Sequence, residues 1–198
     1  MKRLAVILII LLPAAVYSQR FSGGIVAGFN ASQIDGDFWY GYNKAGLMGG
    51  AFVFTDFKDK WRGQMEIRYS AKGSSTVRND TAFIRKYVLR YIEIPLILEY
   101  RLFKKVQLQA GASIGYMFYA GQSDGYNYQK LSRIKPTETA ICVGLNASYF
   151  DPINLNIRFS YSIFPVYDYY TGQSYGTGAW YNNVITFGIY YRIGKKRI

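Results

Sequence analysis

The sequence predicts an all-β fold, an eight-stranded antiparallel up-and-down transmembrane β-barrel with short periplasmic turns and long extracellular loops. Three observations carry this expectation. Eight segments alternate apolar and polar residues with a period of two, their connections alternate long and short, and the chain opens with a secretory-signal pattern.

At the start, Met1, Lys2 and Arg3 form a positive head, Leu4 to Leu12 an apolar run, and Pro13 leads to Val16-Tyr17-Ser18, where a signal peptidase could cut. The expected division is a signal peptide at 1–18 and a single outer-membrane barrel domain at 19–198. The apolar run is shorter than the roughly 20 residues a spanning helix needs.

The first two strands, near 21–30 and 46–54, are Gly-rich and apolar, and their facing is not decided by pattern. The third is clear: Trp61, Met65, Ile67 and Tyr69 fall on one face, and Arg62, Gln64, Glu66, Arg68 and Lys72 on the other. The fourth sets Ile92, Ile94, Leu96, Leu98, Tyr100 and Leu102 against Glu93, Pro95, Glu99 and Arg101, with Ile97 the one apolar residue on the polar side. The fifth, 106–118, opposes Leu108, Ala110, Ile114 and Tyr116 to Gln107, Gln109 and Ser113. The sixth, 139–149, opposes Ile141, Val143 and Leu145 to Cys142, Gly144 and Asn146. The last two set Ile153, Leu155, Ile157 and Phe159 against Asn154, Asn156 and Arg158, then Ile185, Phe187, Ile189 and Tyr191 against Thr186, Gly188 and Arg192. Connections near 31–45, 73–86, 121–138 and 164–183 are long, whereas 55–60, 103–105 and Asp151-Pro152 are short.

A sheet survives in hydrocarbon only when it closes, because every backbone group must find a partner. Lipid then wets the apolar faces and the lumen holds the charges. Glu66, Arg68, Glu93, Glu99, Arg101, Arg158 and Arg192 are expected to point inward as an ionic network. Eight strands leave a lumen just wide enough for side chains, which predicts a salt-bridged plug. Trp61, Tyr69, Tyr100, Phe118, Tyr149, Tyr161 and Tyr191 fall near strand ends, as interfacial girdles do. The rival architecture is a soluble periplasmic ligand-binding barrel, in which the apolar set would line a cavity.

Absent histidine and a single cysteine, Cys142, remove Ser-His-Asp catalysis, His-ligated metals and a within-chain disulfide. Cys142 reads as a small packing residue. Glu66, Glu93 and Glu99 have Arg partners on the same lumen surface, and Glu138 sits at a strand mouth without one, a poor setting for paired-carboxylate chemistry. No catalytic residue, metal site or cofactor is expected. The net charge of +12 is spread over loops, lumen and the Lys195-Lys196-Arg197 tail, which argues against nucleic-acid binding.

The long loops carry Lys44, Lys72, Arg78, Arg85, Lys86, Lys130, Arg133 and Lys135, suited to outer-membrane lipid and anionic lipopolysaccharide. Beside them lie Trp39, Tyr40 and Tyr42, then Tyr126 and Tyr128, then Tyr167, Tyr169 and Tyr170. These rings either form an extracellular recognition surface or fold over the barrel mouth and pack on one another.

Gly24 to Ser32, Gln64 to Gly73, Tyr91 to Leu98, Gln109 to Tyr116 and Phe187 to Ile193, in that order and spacing, resemble the Bacteroidetes outer-membrane β-barrel family described as PorT-like. The resemblance implies an outer-membrane barrel of about eight strands in a Gram-negative cell. It also implies a link to protein secretion by the type IX system, and it brings no catalytic motif. The function expected is a non-enzymatic structural or interaction component of the envelope, which contacts an envelope or secretion-machinery protein. A small-solute channel is the alternative.

Overall fold

The computed structural model describes residues 21–37, 39–76, 85–123, 127–131, 134–168 and 179–193. All of their regular structure is β. Eight strands form the wall: β1 (Phe21–Asp35), β2 (Lys44–Lys58), β3 (Trp61–Ser75), β4 (Lys86–Phe103), β5 (Val106–Ser123), β7 (Thr137–Phe150), β8 (Ile153–Ser162) and β10 (Ala179–Ile193). Each pairs antiparallel with the next, and β10 returns to β1, which closes the sheet. Two short strands inside the expected long loops had no signal in the alternation. β6 (Tyr128–Lys130) folds back on the end of β5, and β9 (Tyr167–Asp168) lies beside the start of β10.

The pairing register fixes the barrel's shape. Stepping across partners from Gly23 through Val53, Met65, Leu96, Ala112, Ile141, Tyr161 and Asn183 returns to β1 at Gln33, ten residues further on. With eight strands, that stagger tilts them by roughly 40° and gives a radius of roughly 8 Å. At this tilt the 18-residue strands β4 and β5 rise roughly 45 Å, well beyond an apolar band of about 25 Å. The surplus stands at the long-loop end, because β1, β3 and β5 start together at the opposite, short-turn end. The signal-peptide expectation and the Lys195-Lys196-Arg197 tail lie outside the described residues.

The outer wall is apolar from β1 round to β10. Leu47 is 73% exposed and Ile114 64%, with Ile25, Ile67, Ile94, Ile141 and Ile189 all open to the surroundings. A patch this extensive is untenable in water and ordinary in lipid. The soluble-barrel alternative fails on this point, since it needs the same residues inside.

The facing left open for β1 and β2 is now set. Val26, Met48, Phe52 and Phe54 turn inward and pack with Tyr190 as an apolar lining on one side of the lumen. Phe52 meets Tyr190 edge-on, with ring centroids 5.2 Å apart. The buried charges lie on β3, β4, β7 and β8, with buried uncharged polar residues also on β1, β5 and β10.

Candidate functional site

Alternation on β3 places Gln64, Glu66, Arg68 and Lys72 in one inward column; Glu66, Arg68 and Lys72 meet partners from other strands, and Gln64 bonds Glu66 within the column. Arg68 Nε lies 2.9 Å from Glu93 Oε2 on β4, and its Nη1 3.4 Å from Glu66 Oε2. Lys72 Nζ sits between Glu93 Oε1 at 2.5 Å and Glu138 Oε1 on β7 at 2.9 Å. Across the lumen, Arg158 on β8 donates from Nη2 to Glu66 Oε1 at 2.8 Å, the same oxygen that accepts Tyr190 Oη at 3.0 Å and Gln64 Nε2 at 2.8 Å. Gln109 extends the network: its Nε2 donates to Glu99 at 2.6 Å, and its Oε1 accepts from Asn156 at 2.7 Å.

Buried charge this dense persists only when compensated. Arg68, Lys72 and Arg158 stand against Glu66, Glu93, Glu99 and Glu138, and Arg62, partly exposed at the short-turn rim, approaches Glu99 at 3.7 Å. Glycine makes the room. Gly50 lies opposite Arg68, Gly144 opposite Arg158, and Gly115 between Glu93 and Glu138. A Cβ on Gly144 would stand 2.5 Å from the Ile157 carbonyl oxygen and 3.0 Å from Arg158 Cα.

Among the expected network residues, the structure brings together Glu66, Arg68, Glu93, Glu99 and Arg158. Arg101 and Arg192 are corrections. The register shift between Arg101 and Phe103 leaves Arg101 exposed at the end of β4. Arg192 turns to the short-turn rim, where it pairs with Asp151. Lys72 corrects the opposite error: the loop expected from residue 73 begins later, because β3 continues to Ser75 and carries Lys72 inside. Glu138, read as lacking a partner, is held by Lys72 and by Asn182 Nδ2 at 2.8 Å. Parity had placed Lys72 on the inward column; only strand length could show that the column stayed buried. Cys142 is buried, 3.4 Å from Ser160 Oγ.

Above the charges, toward the long-loop end, Ile34, Leu89, Tyr91, Met117 and Ala120 form an apolar plug, with Leu131, Ile134, Tyr87 and Trp180 packed on it. Rings continue over the mouth. Trp39 stacks on Tyr87, Tyr87 meets Trp180, and Trp180 meets Tyr167, each pair 4.7 Å between centroids. Two of the candidate recognition rings, Trp39 and Tyr167, are therefore part of the closure. Tyr42 is tethered by a 2.6 Å bond from its hydroxyl to Asn183 Oδ1. Tyr40, 88% exposed, and Tyr128, 69% exposed, stand free at this end. Tyr126, Tyr169 and Tyr170 lie outside the described residues.

The girdle candidates face outward at two levels. Trp61 and Tyr100, 4.8 Å apart, mark the short-turn level, and Tyr69 and Phe118, 6.2 Å apart, the other. Among the described residues, no group of acidic or thiol side chains is arranged to hold a metal.

Residues 16–168 match the family model described as the outer membrane protein beta-barrel domain. The chain belongs to this family. It is accordingly an outer-membrane β-barrel protein. Among solved structures, it resembles Ail, the attachment invasion locus protein of Yersinia pestis, in complex with the heparin analogue sucrose octasulfate. That likeness has a TM-score of 0.52 at 15% identity and covers 88% of this chain and 99% of Ail. A second Ail structure gives 0.51 at 15% identity, covering 87% and 98%. Neisserial surface protein A gives 0.48 at 10% identity, covering 87% and 96%. No curated protein matches the chain. The Ail likeness carries the architecture, a small closed barrel.

Proposed function

We propose that this protein is a non-enzymatic surface-contact component of the outer membrane, whose long-loop end faces outward and engages an anionic partner. The observation that carries the reading is the closure of the lumen by the Leu89, Tyr91 and Met117 plug under the Trp39, Tyr87 and Trp180 rings. A barrel filled in this way works through its surfaces. Tyr40 and Tyr128 supply exposed aromatic contacts there, and Lys44, Lys86 and Arg90 supply positive charge. The partner class is an anionic polysaccharide, lipopolysaccharide included; Ail, a barrel of the same fold, was solved with a sulfated saccharide analogue. The PorT-like resemblance extends the reading to a contact with a secretion-machinery protein.

The test is cross-linked recovery of the tagged protein from outer membranes, beside a tagged unrelated barrel, and retention on immobilised heparin. Deleting the loop tips between β1 and β2 and between β5 and β7, which carry Tyr40 and Tyr128, is expected to abolish specific recovery and retention. Unchanged binding by the loop-deleted protein would remove the proposal.

A further inference from the structure

We infer that the lipid-facing wall carries a specific site for an anionic phospholipid of the inner leaflet, at the short-turn end across β2 to β5. The leaflet assignment rests on the proposed orientation; the site itself rests on two adjoining features.

One is a groove of about 470 Å³ on the outer wall, lined by Phe21, Val53, Gly63, Met65, Leu98 and Ala110 among others. Its origin is in the register. Gly63, Leu98 and Ala110 are successive partners on β3, β4 and β5, so two small residues flank one leucine and leave a furrow banked by larger side chains. That volume is in the range of ligand pockets, and the lining suits an acyl chain.

The other is a basic and aromatic collar bordering the same wall. Lys60 Nζ lies 5.9 Å from the Tyr100 ring centroid, and Tyr100 packs on Trp61. The Arg101 N–H donates to the Lys60 carbonyl at 2.8 Å, which holds those two residues side by side. Lys105 Nζ lies 5.0 Å over the Tyr149 ring, with Lys104 exposed beside it. The acids nearby do not cancel this charge. Asp56 is engaged by Arg62 at 2.8 Å and Asp151 by Arg192, and Arg101 lines the lumen rim beside Glu99, which leaves the exposed Asp59 against Lys60, Lys104 and Lys105. Cations held over interfacial rings beside an apolar furrow match a phosphate headgroup followed by its chain.

Native mass spectrometry of the full chain, in detergent with equimolar phosphatidylglycerol and phosphatidylcholine of identical chains, tests the site. The anionic lipid is expected to be retained preferentially, with the preference falling about fivefold for each cation removed in Lys60→Gln and Lys105→Gln. Gly63→Trp fills the furrow and should cut retention of both lipids, with Ala110→Phe as a second filling variant; heat-dependent gel mobility verifies closed barrels. Equal retention of the two lipids by the unaltered protein, or full retention in a folded furrow-filled variant, overturns the inference. Labelling of Lys104→Cys by an impermeant thiol reagent in intact cells would overturn the orientation, and with it the inner-leaflet assignment, while the adducts read the site separately.

Discussion

Glu66 is the junction of the lumen, since one of its oxygens accepts from Gln64, Tyr190 and Arg158 together. Removing one partner strands a buried charge. Arg158→Met is expected to cost about 3–5 kcal/mol, and Glu66→Gln combined with Arg158→Met much less, because the pair leaves together. Urea unfolding of the reconstituted barrel would read both; a double variant no better than the single one would contradict this account of the pair. At the mouth, burial raises the Asp37 carboxyl above its usual range, while the N–H of Trp39, 2.8 Å from Oδ1, pulls the other way. A carboxyl raised on folding favours the folded mouth in its protonated state, so closure should tighten as pH falls through that raised range and loosen as pH rises. Asp37→Asn should flatten the pH dependence of tryptophan emission in a background with Trp61 replaced by Phe, where the remaining tryptophans, Trp39 and Trp180, both belong to the mouth closure.

For the wall strands from β3 on, the two-residue period dictates which side most residues take, without needing a partner's identity. Partner choice is another matter. Lys72 finds Glu93 and Glu138 because the stagger brings β3, β4 and β7 to one height, and stagger is a property of the whole closed sheet. Strand ends were unreadable for a similar reason: a register shift expelled Arg101, and pairing with β4 carried β3 on to Ser75. The glycines show the same limit, since sequence marks Gly115 as small without revealing that a Cβ there would stand 3.3, 3.5 and 3.7 Å from the Tyr91, Glu93 and Glu138 side chains. Gly115→Leu is expected to push Glu93 and Glu138 off Lys72 and destabilise the barrel by about 1–3 kcal/mol. Gly115→Ala should lose far less in the same urea titration.

Taken as a whole, the barrel is a side-chain-filled cylinder with a charged middle and an apolar upper end, and its conduction follows from that filling. Planar-bilayer recordings should give near-zero conductance for the unaltered protein. Steady ohmic steps would mean that the plug over Leu89 and Tyr91 opens in the membrane. The overall architecture was legible in advance because lipid and lumen impose opposite chemistry on alternate residues; the mouth was not, because its rings answer to one another rather than to a period.

The seam between β1 and β10 has a consequence in time. Gly23 pairs with Ile193, so the first wall strand to leave the ribosome waits for the last before it has a neighbour on both sides. Until then, every partial assembly presents two rows of unmet backbone groups, which hydrocarbon does not tolerate. Unassisted piecemeal insertion is therefore costly for this chain: until its final strand meets its first, a partial sheet needs both open edges paired by another protein or kept out of hydrocarbon.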